Sequence, residues 1–172
     1  MIIQQCVLVL AFVLFLPRVS RAQRESTSVA TSPMQTQQLS TLRAVGEQVV
    51  DALKDRDVTP LALIVDEGGI SLGTDNAPIS AAAFRGQLHK KMAVYCDLMG
   101  CARGATSLHA MLKGKNPKIR ISLSNDFPNV GQVDVFDIVD GAKTQTVQRS
   151  PLFTLFFIRR HGRWYLQQIE YT

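Results

Sequence analysis

The stretch from Leu152 to Tyr171 constrains the fold more than any other part of the chain. Leu152 to Ile158 carries apolar side chains at odd and even positions alike, the pattern of a strand covered on both faces and therefore central in its sheet. His161-Gly162 reads as a tight turn, and Trp164 to Tyr171 returns as a second strand. Upstream, Ile119, Ile121 and Leu123 alternate with Lys118, Arg120 and Ser122, the period of a strand with one face in the core. Val133 and Val135 alternate with Gln132 and Asp134 in the same way. Asp140-Gly141 fits a two-residue hairpin turn leading back through Thr144 to Val147. The second half is therefore expected to be a meandering antiparallel sheet.

The first half reads as helical. From Leu39 to Arg56 the apolar Leu42, Val45, Val49 and Leu53 follow helical spacing, with Ser40 or Thr41 placed to cap the first turn. Thr59-Pro60 repeats a start signal, and Leu61 to Val65 fits a short helix or a buried strand. Ile70 and Leu72 alternate with polar neighbours between Gly68-Gly69 and the turn Thr74-Asp75-Asn76, which suggests a short strand. Ser80 can cap a helix in which Phe84, Leu88, Met92 and Tyr95 share one side, despite Gly86 and up to the cysteine loop. Ala105 to Leu112 is ambiguous.

Met1 to Ala22 resembles a secretion signal. Its apolar core, Cys6 to Leu16, is short for a bilayer that needs about 20 residues, and Ser20 and Ala22 supply small residues for cleavage near Ala22/Gln23. Arg18 and Arg21 follow that core instead of preceding it, so an uncleaved anchor is the alternative. Residues 23–38 are rich in Ser, Thr and Gln and read as a flexible linker, leaving 39–172 as a single α+β domain. Losing Cys6 leaves the pair Cys96 and Cys101, with Gly100 between them to fold the chain back. In an oxidising compartment a disulfide is the favoured state, contributing about 2 kcal/mol through so short a loop. The spacing is not C-x-x-C, which argues against a redox role, and no further ligands lie nearby for zinc.

The whole chain carries 19 basic and 14 acidic residues; without Arg18 and Arg21 the balance is 17 to 14, a net of +3. That is too mild for a nucleic-acid partner, and the densest groups, Lys113-Lys115-Lys118-Arg120 and Arg159-Arg160-Arg163, read as solvated strand ends and turns. The expected location is secreted or periplasmic, with no stable membrane insertion once the signal is removed.

Helices followed by a long antiparallel sheet, a last hairpin with Gly162-Arg163-Trp164, and a first helix ending in the charged stretch Asp51 to Asp57 together resemble the nuclear transport factor 2-like superfamily. This is the fold shared by ketosteroid isomerases, polyketide-cyclase-like proteins and many non-catalytic modules. The resemblance spans Leu39 to Thr172. It implies an α+β cone, N-terminal helices packed on a curved, mainly antiparallel sheet, to which the disulfide loop is an addition. It also implies an apolar cavity with one open mouth, and catalytic relatives acting on carbonyl compounds need a carboxylate base there with a hydrogen-bond donor opposite.

Asp134, on one strand face with Gln132 and Phe136, is the carboxylate candidate; Tyr95 and His109, with Trp164 and Tyr171, are donor candidates. The plainer readings are favoured for each: Asp134 facing solvent, because an unpaired buried carboxylate is costly, His109 packed or exposed, and Trp164 plugging the hairpin. His89, His109 and His161 show no i, i+4 pairing, so no metal site is expected, and Asp134, Asp137 and Asp140 lack the Glu that closes a calcium loop. No nucleophile elbow, phosphate loop or dinucleotide fingerprint occurs, and no cofactor is expected. Two function classes stay open. One is a secreted or periplasmic, non-catalytic module binding a small apolar ligand or a protein, with a homodimer across the sheet as one form; the other is a small-molecule isomerase, cyclase or dehydratase using a cavity carboxylate. A structural subunit of an envelope assembly is a third.

Overall fold

Helix α1 spans Pro33–Asp55 in the computed structural model, which describes residues 32–74, 76–101, 106–137 and 150–171. The signal-like segment and the hairpin expected at Asp140-Gly141 lie outside the described residues. Ser32 accepts a hydrogen bond from the Gln35 amide at 3.2 Å and Pro33 opens the first turn, so 33–38 are helical and not a linker. The apolar stripe begins only at Leu42, so this early start depends on its cap. Ser40 and Thr41, expected as caps, sit inside the helix. The helix stops at Arg56 (φ 57°), where the amides of Arg56 and Asp57 both donate to the Ala52 carbonyl.

Asp57, and not Thr59, caps α2 (Val58–Ile64) by accepting from the Thr59 amide at 2.9 Å. Pro60 falls in the first turn, where an amide has no partner within the helix. Val65 then forms a parallel bridge with Leu166. α3 (Ala81–His89) is capped by Ser80 as expected, but the helix does not run on to the cysteines. Lys91 takes φ 53°, the Met92 amide donates back to Gln87, and a separate helix α4 (Ala93–Met99) begins. Met92 is consequently 53% exposed and off the stripe assigned to it. Cys96 and Cys101 are bonded with Cα atoms 4.8 Å apart across Gly100, closing the end of α4. The ambiguous stretch contains α5 (Leu108–Leu112), capped by Ser107.

Strands β1 (Ser71–Leu72), β2 (Pro117–Leu123), β3 (Val130–Asp137), β4 (Phe153–Arg160) and β5 (Arg163–Glu170) form one sheet in the order β1-β5-β4-β3-β2. β4 is central, as its two-sided apolarity required, and the turn to β5 holds His161 at φ 50° and Gly162 at φ 80°. All neighbours are antiparallel except β1 and β5, which pair in parallel, and a bulge between Phe156 and Phe157 bends the sheet. The layout implied by the resemblance, helices on a curved and mainly antiparallel sheet, is the layout observed.

Val133, Val135, Leu155, Phe157 and Leu166 are buried with Leu42, Leu53, Phe84 and Leu88 from the helices. α1 approaches the sheet closely because two contact positions lack side chains. A Cβ on Gly46 would stand 3.0 Å from Val133, and one on Gly131 would stand 2.5 Å from Leu42 and 3.2 Å from the Trp164 ring. Trp164 plugs this contact, 4% exposed, and donates from Nε1 to Thr41 at 3.1 Å.

Candidate functional site

The three residues singled out for catalysis do not converge. His109 lies on α5 with Nδ1 3.1 Å from the Leu53 carbonyl, one of the last acceptors of α1, so its ring donates a proton there and ties the two helices together. Tyr95 lies on α4 with the Lys91 ammonium over its ring at 5.8 Å. Asp134 stands on the sheet face away from the helices, since its neighbours Val133 and Val135 point into the core.

Asp134 is nevertheless buried, contrary to the solvent-facing expectation, and its two oxygens are fully engaged. Arg120 donates to Oδ2 from Nη2 at 2.8 Å and from Nε at 3.1 Å, while Gln132 and Thr154 donate to Oδ1 at 2.7 and 3.0 Å. Burial alone would raise the carboxyl pKa, but the hydrogen bonds from Gln132, Arg120 and Thr154, with the charge of Arg120, outweigh it and hold the pKa below the ordinary 3.8. A carboxylate so held is a structural anchor and a poor base.

Among the described residues a cleft of about 310 Å³ opens at the rim, between β1 and the α3–α4 pair. Its apolar walls are Leu72, Ala77, Ile79, Ala93 and Val94, with Asn76, Gln87 and Asp97 as polar members. Local chemistry fixes these walls. Asn76 donates to the Leu72 carbonyl, Ile70 and Ile79 exchange backbone hydrogen bonds, and Gln87 accepts from the Val94 amide at the uncapped start of α4. Among the described residues no three His, Cys, Asp or Glu side chains gather as a metal cluster.

Sequence reasoning missed Asp97, one residue from Cys96; only the break after α3 turns it toward the cleft. Its charge reaches Tyr171, whose phenol is pushed above 10.0 by burial first and by Asp97 second. A raised phenol pKa leaves stability intact below about pH 10 and erodes it as pH climbs through the folded value. Asp97→Asn is expected to lower the pH at which Tyr171 ionises, read as phenolate absorbance after subtracting the curve of Tyr171→Phe. An unmoved curve would show that the charge does not reach the phenol.

No protein-family model and no curated protein matches the chain. Solved structures are similar in fold. One is an NTF2-like protein of unknown function from Pseudomonas putida, 11% identical with a TM-score of 0.47, covering 78% of this chain and 85% of that one. Another, from Silicibacter pomeroyi and also NTF-2-like and of unknown function, is 16% identical with a TM-score of 0.42, covering 78% and 93%. A third is an LEH-like epoxide hydrolase of M. tuberculosis, 13% identical with a TM-score of 0.43, covering 78% and 81%. Among the described residues no helix is long and apolar enough to cross a membrane.

Proposed function

We propose that this chain is a secreted or periplasmic, non-catalytic binding module whose rim cleft takes a small ligand with an apolar body and a hydrogen-bonding end. The cleft carries the reading: its volume is at the lower end for ligand sites, and its walls are apolar with a few convergent polar groups. The Cys96–Cys101 bond, which closes the helix bearing Ala93, Val94 and Asp97, suits an oxidising compartment and holds that wall in place. The isomerase, cyclase or dehydratase reading now rests on Asp97, the one carboxylate lining the cleft among the described residues. Asp97 is exposed, however, whereas abstraction of a carbon-bound proton calls for a base shielded from water.

Nile red, a neutral apolar dye, is expected to bind the chain at one saturable site with a fluorescence rise. Ala77→Trp, which fills the cleft, should abolish the rise while leaving the circular dichroism unchanged. Binding that survives Ala77→Trp would overturn the cleft as the ligand site. Turnover of a carbonyl substrate that disappears in Asp97→Asn would replace the binding reading by the enzymatic one.

A further inference from the structure

The sheet order leaves β2 paired with β3 on one side and, among the described residues, with no strand on the other. The direction of its backbone groups follows from one hydrogen bond. Ser124 donates to the Val130 carbonyl at 2.9 Å, extending the register that sets Leu123 opposite Gly131. Bonded and non-bonded pairs alternate in an antiparallel ladder, so Lys118, Arg120 and Ser122 turn their N–H and C=O groups toward β3. Ile119, Ile121 and Leu123 turn theirs outward. The other side of β3 agrees, since the carbonyls of Val135 and Asn129, at odd positions, accept from Leu152 and Arg159 on the β4 side. Three donors spaced two residues apart along an edge that no described strand covers are a template for an added strand.

The charges along this edge decide what can be added. Lys118 and Arg120 are exposed, and among the described residues Lys118 has no acidic partner. Arg120 keeps 59% of its side chain accessible while bonded to Asp134. Between α1 and β2 runs a groove of about 440 Å³ bordered by Lys118, Lys54 and Arg43, with Asp51 and an Arg43-paired Glu47. Two copies meeting edge to edge about Ile119 would set Lys118 of each against Arg120 of the other, and like charges across a strand pair repel. An acidic strand reverses that sign at every position. We propose that the β2 edge binds an extended acidic segment of another protein by strand addition.

The test follows amide hydrogen exchange at Ile119, Ile121 and Leu123 by NMR on the full chain. The probe is a capped peptide alternating Glu and Val; its Lys-for-Glu counterpart and a form N-methylated at the valines are the controls. The acidic peptide is expected to slow these three amides about tenfold or more, with neither control doing so. Lys118→Glu should weaken the effect severalfold with the fold intact by circular dichroism, and Ile121→Pro, which removes an outward donor, should abolish it. Equal protection by the basic or N-methylated peptide would overturn the proposal. So would amides already protected in the peptide-free chain, whether at all concentrations, meaning that the edge is covered, or only at high concentration, meaning that a second copy takes it.

Discussion

Trp164→Ala is expected to destabilise the domain by about 3–5 kcal/mol, the cost of emptying a packed aromatic site. For a domain of this size the melting temperature should fall by roughly 10–20 °C. Trp164 is 4% exposed, and its ring reaches the space above Gly131, where Leu42 of α1 meets β3, so its removal empties a packed contact between helix and sheet. The indole N–H adds a hydrogen bond to Thr41, which ties α1 to the final hairpin. Trp164→Phe should therefore cost less but still lose about 1 kcal/mol from that bond. Gly131→Ala probes the same contact from the opposite side, because its methyl would meet Leu42 and the indole. A loss of about 1–3 kcal/mol is expected for that overpacking, and Trp164→Ala should partly relieve it. Denaturant titration of the two single variants and the double variant checks both statements; strictly additive losses would mean that the contact is not shared.

The second large effect is expected at Asp134. Asp134→Ala leaves the Gln132 amide and the Thr154 hydroxyl facing a vacated, buried position, a loss of about 2–3 kcal/mol. Arg120 contributes less to this figure because its exposed guanidinium can turn to water. The same site sets part of the acid limb. The carboxyl pKa is lower in the folded chain than its ordinary 3.8, so around that pH the unfolded state binds more protons. The stabilisation is thus complete above about pH 4 and fades as pH drops through the folded value. Urea midpoints for the chain and for Asp134→Asn should converge as the medium is acidified. Parallel lines down to the acid transition would refute the role given to this carboxylate.

The parts of the fold that could be read in advance are those whose stop and start signals are side-chain specific. Two-sided apolarity placed β4 at the centre, and the period of two in Ile119, Ile121 and Leu123 gave β2. His161-Gly162 supplied the positive φ values of the last turn. The miss at the cysteine helix has one cause. Helix α3 ends through a left-handed residue that is not glycine, Lys91, and the next amide, of Met92, bonds back five residues to Gln87. Such a stop is encoded in backbone geometry that tertiary packing stabilises, so the stripe Phe84, Leu88, Met92, Tyr95 read as one helix. That error hid the cleft, because Ala93, Val94 and Asp97 face it only after the chain breaks and restarts. Asp134 was visible as a strand residue, but its burial depends on Arg120 and Thr154 from two other strands. Adjacent positions in the sequence carry no trace of that enclosure.

The parallel pairing of Ser71 and Leu72 with Gln168 and Ile169 has a consequence for how the chain is made. β5 stands between β1 and β4 and supplies Trp164 to the contact under α1, so elements laid down early wait for a strand synthesised much later. A ribosome-bound chain halted before Arg163 lacks the strand that joins the two parts and cannot close its core. The core therefore closes only once β5 has been made, at the slow pace set by distant pairings.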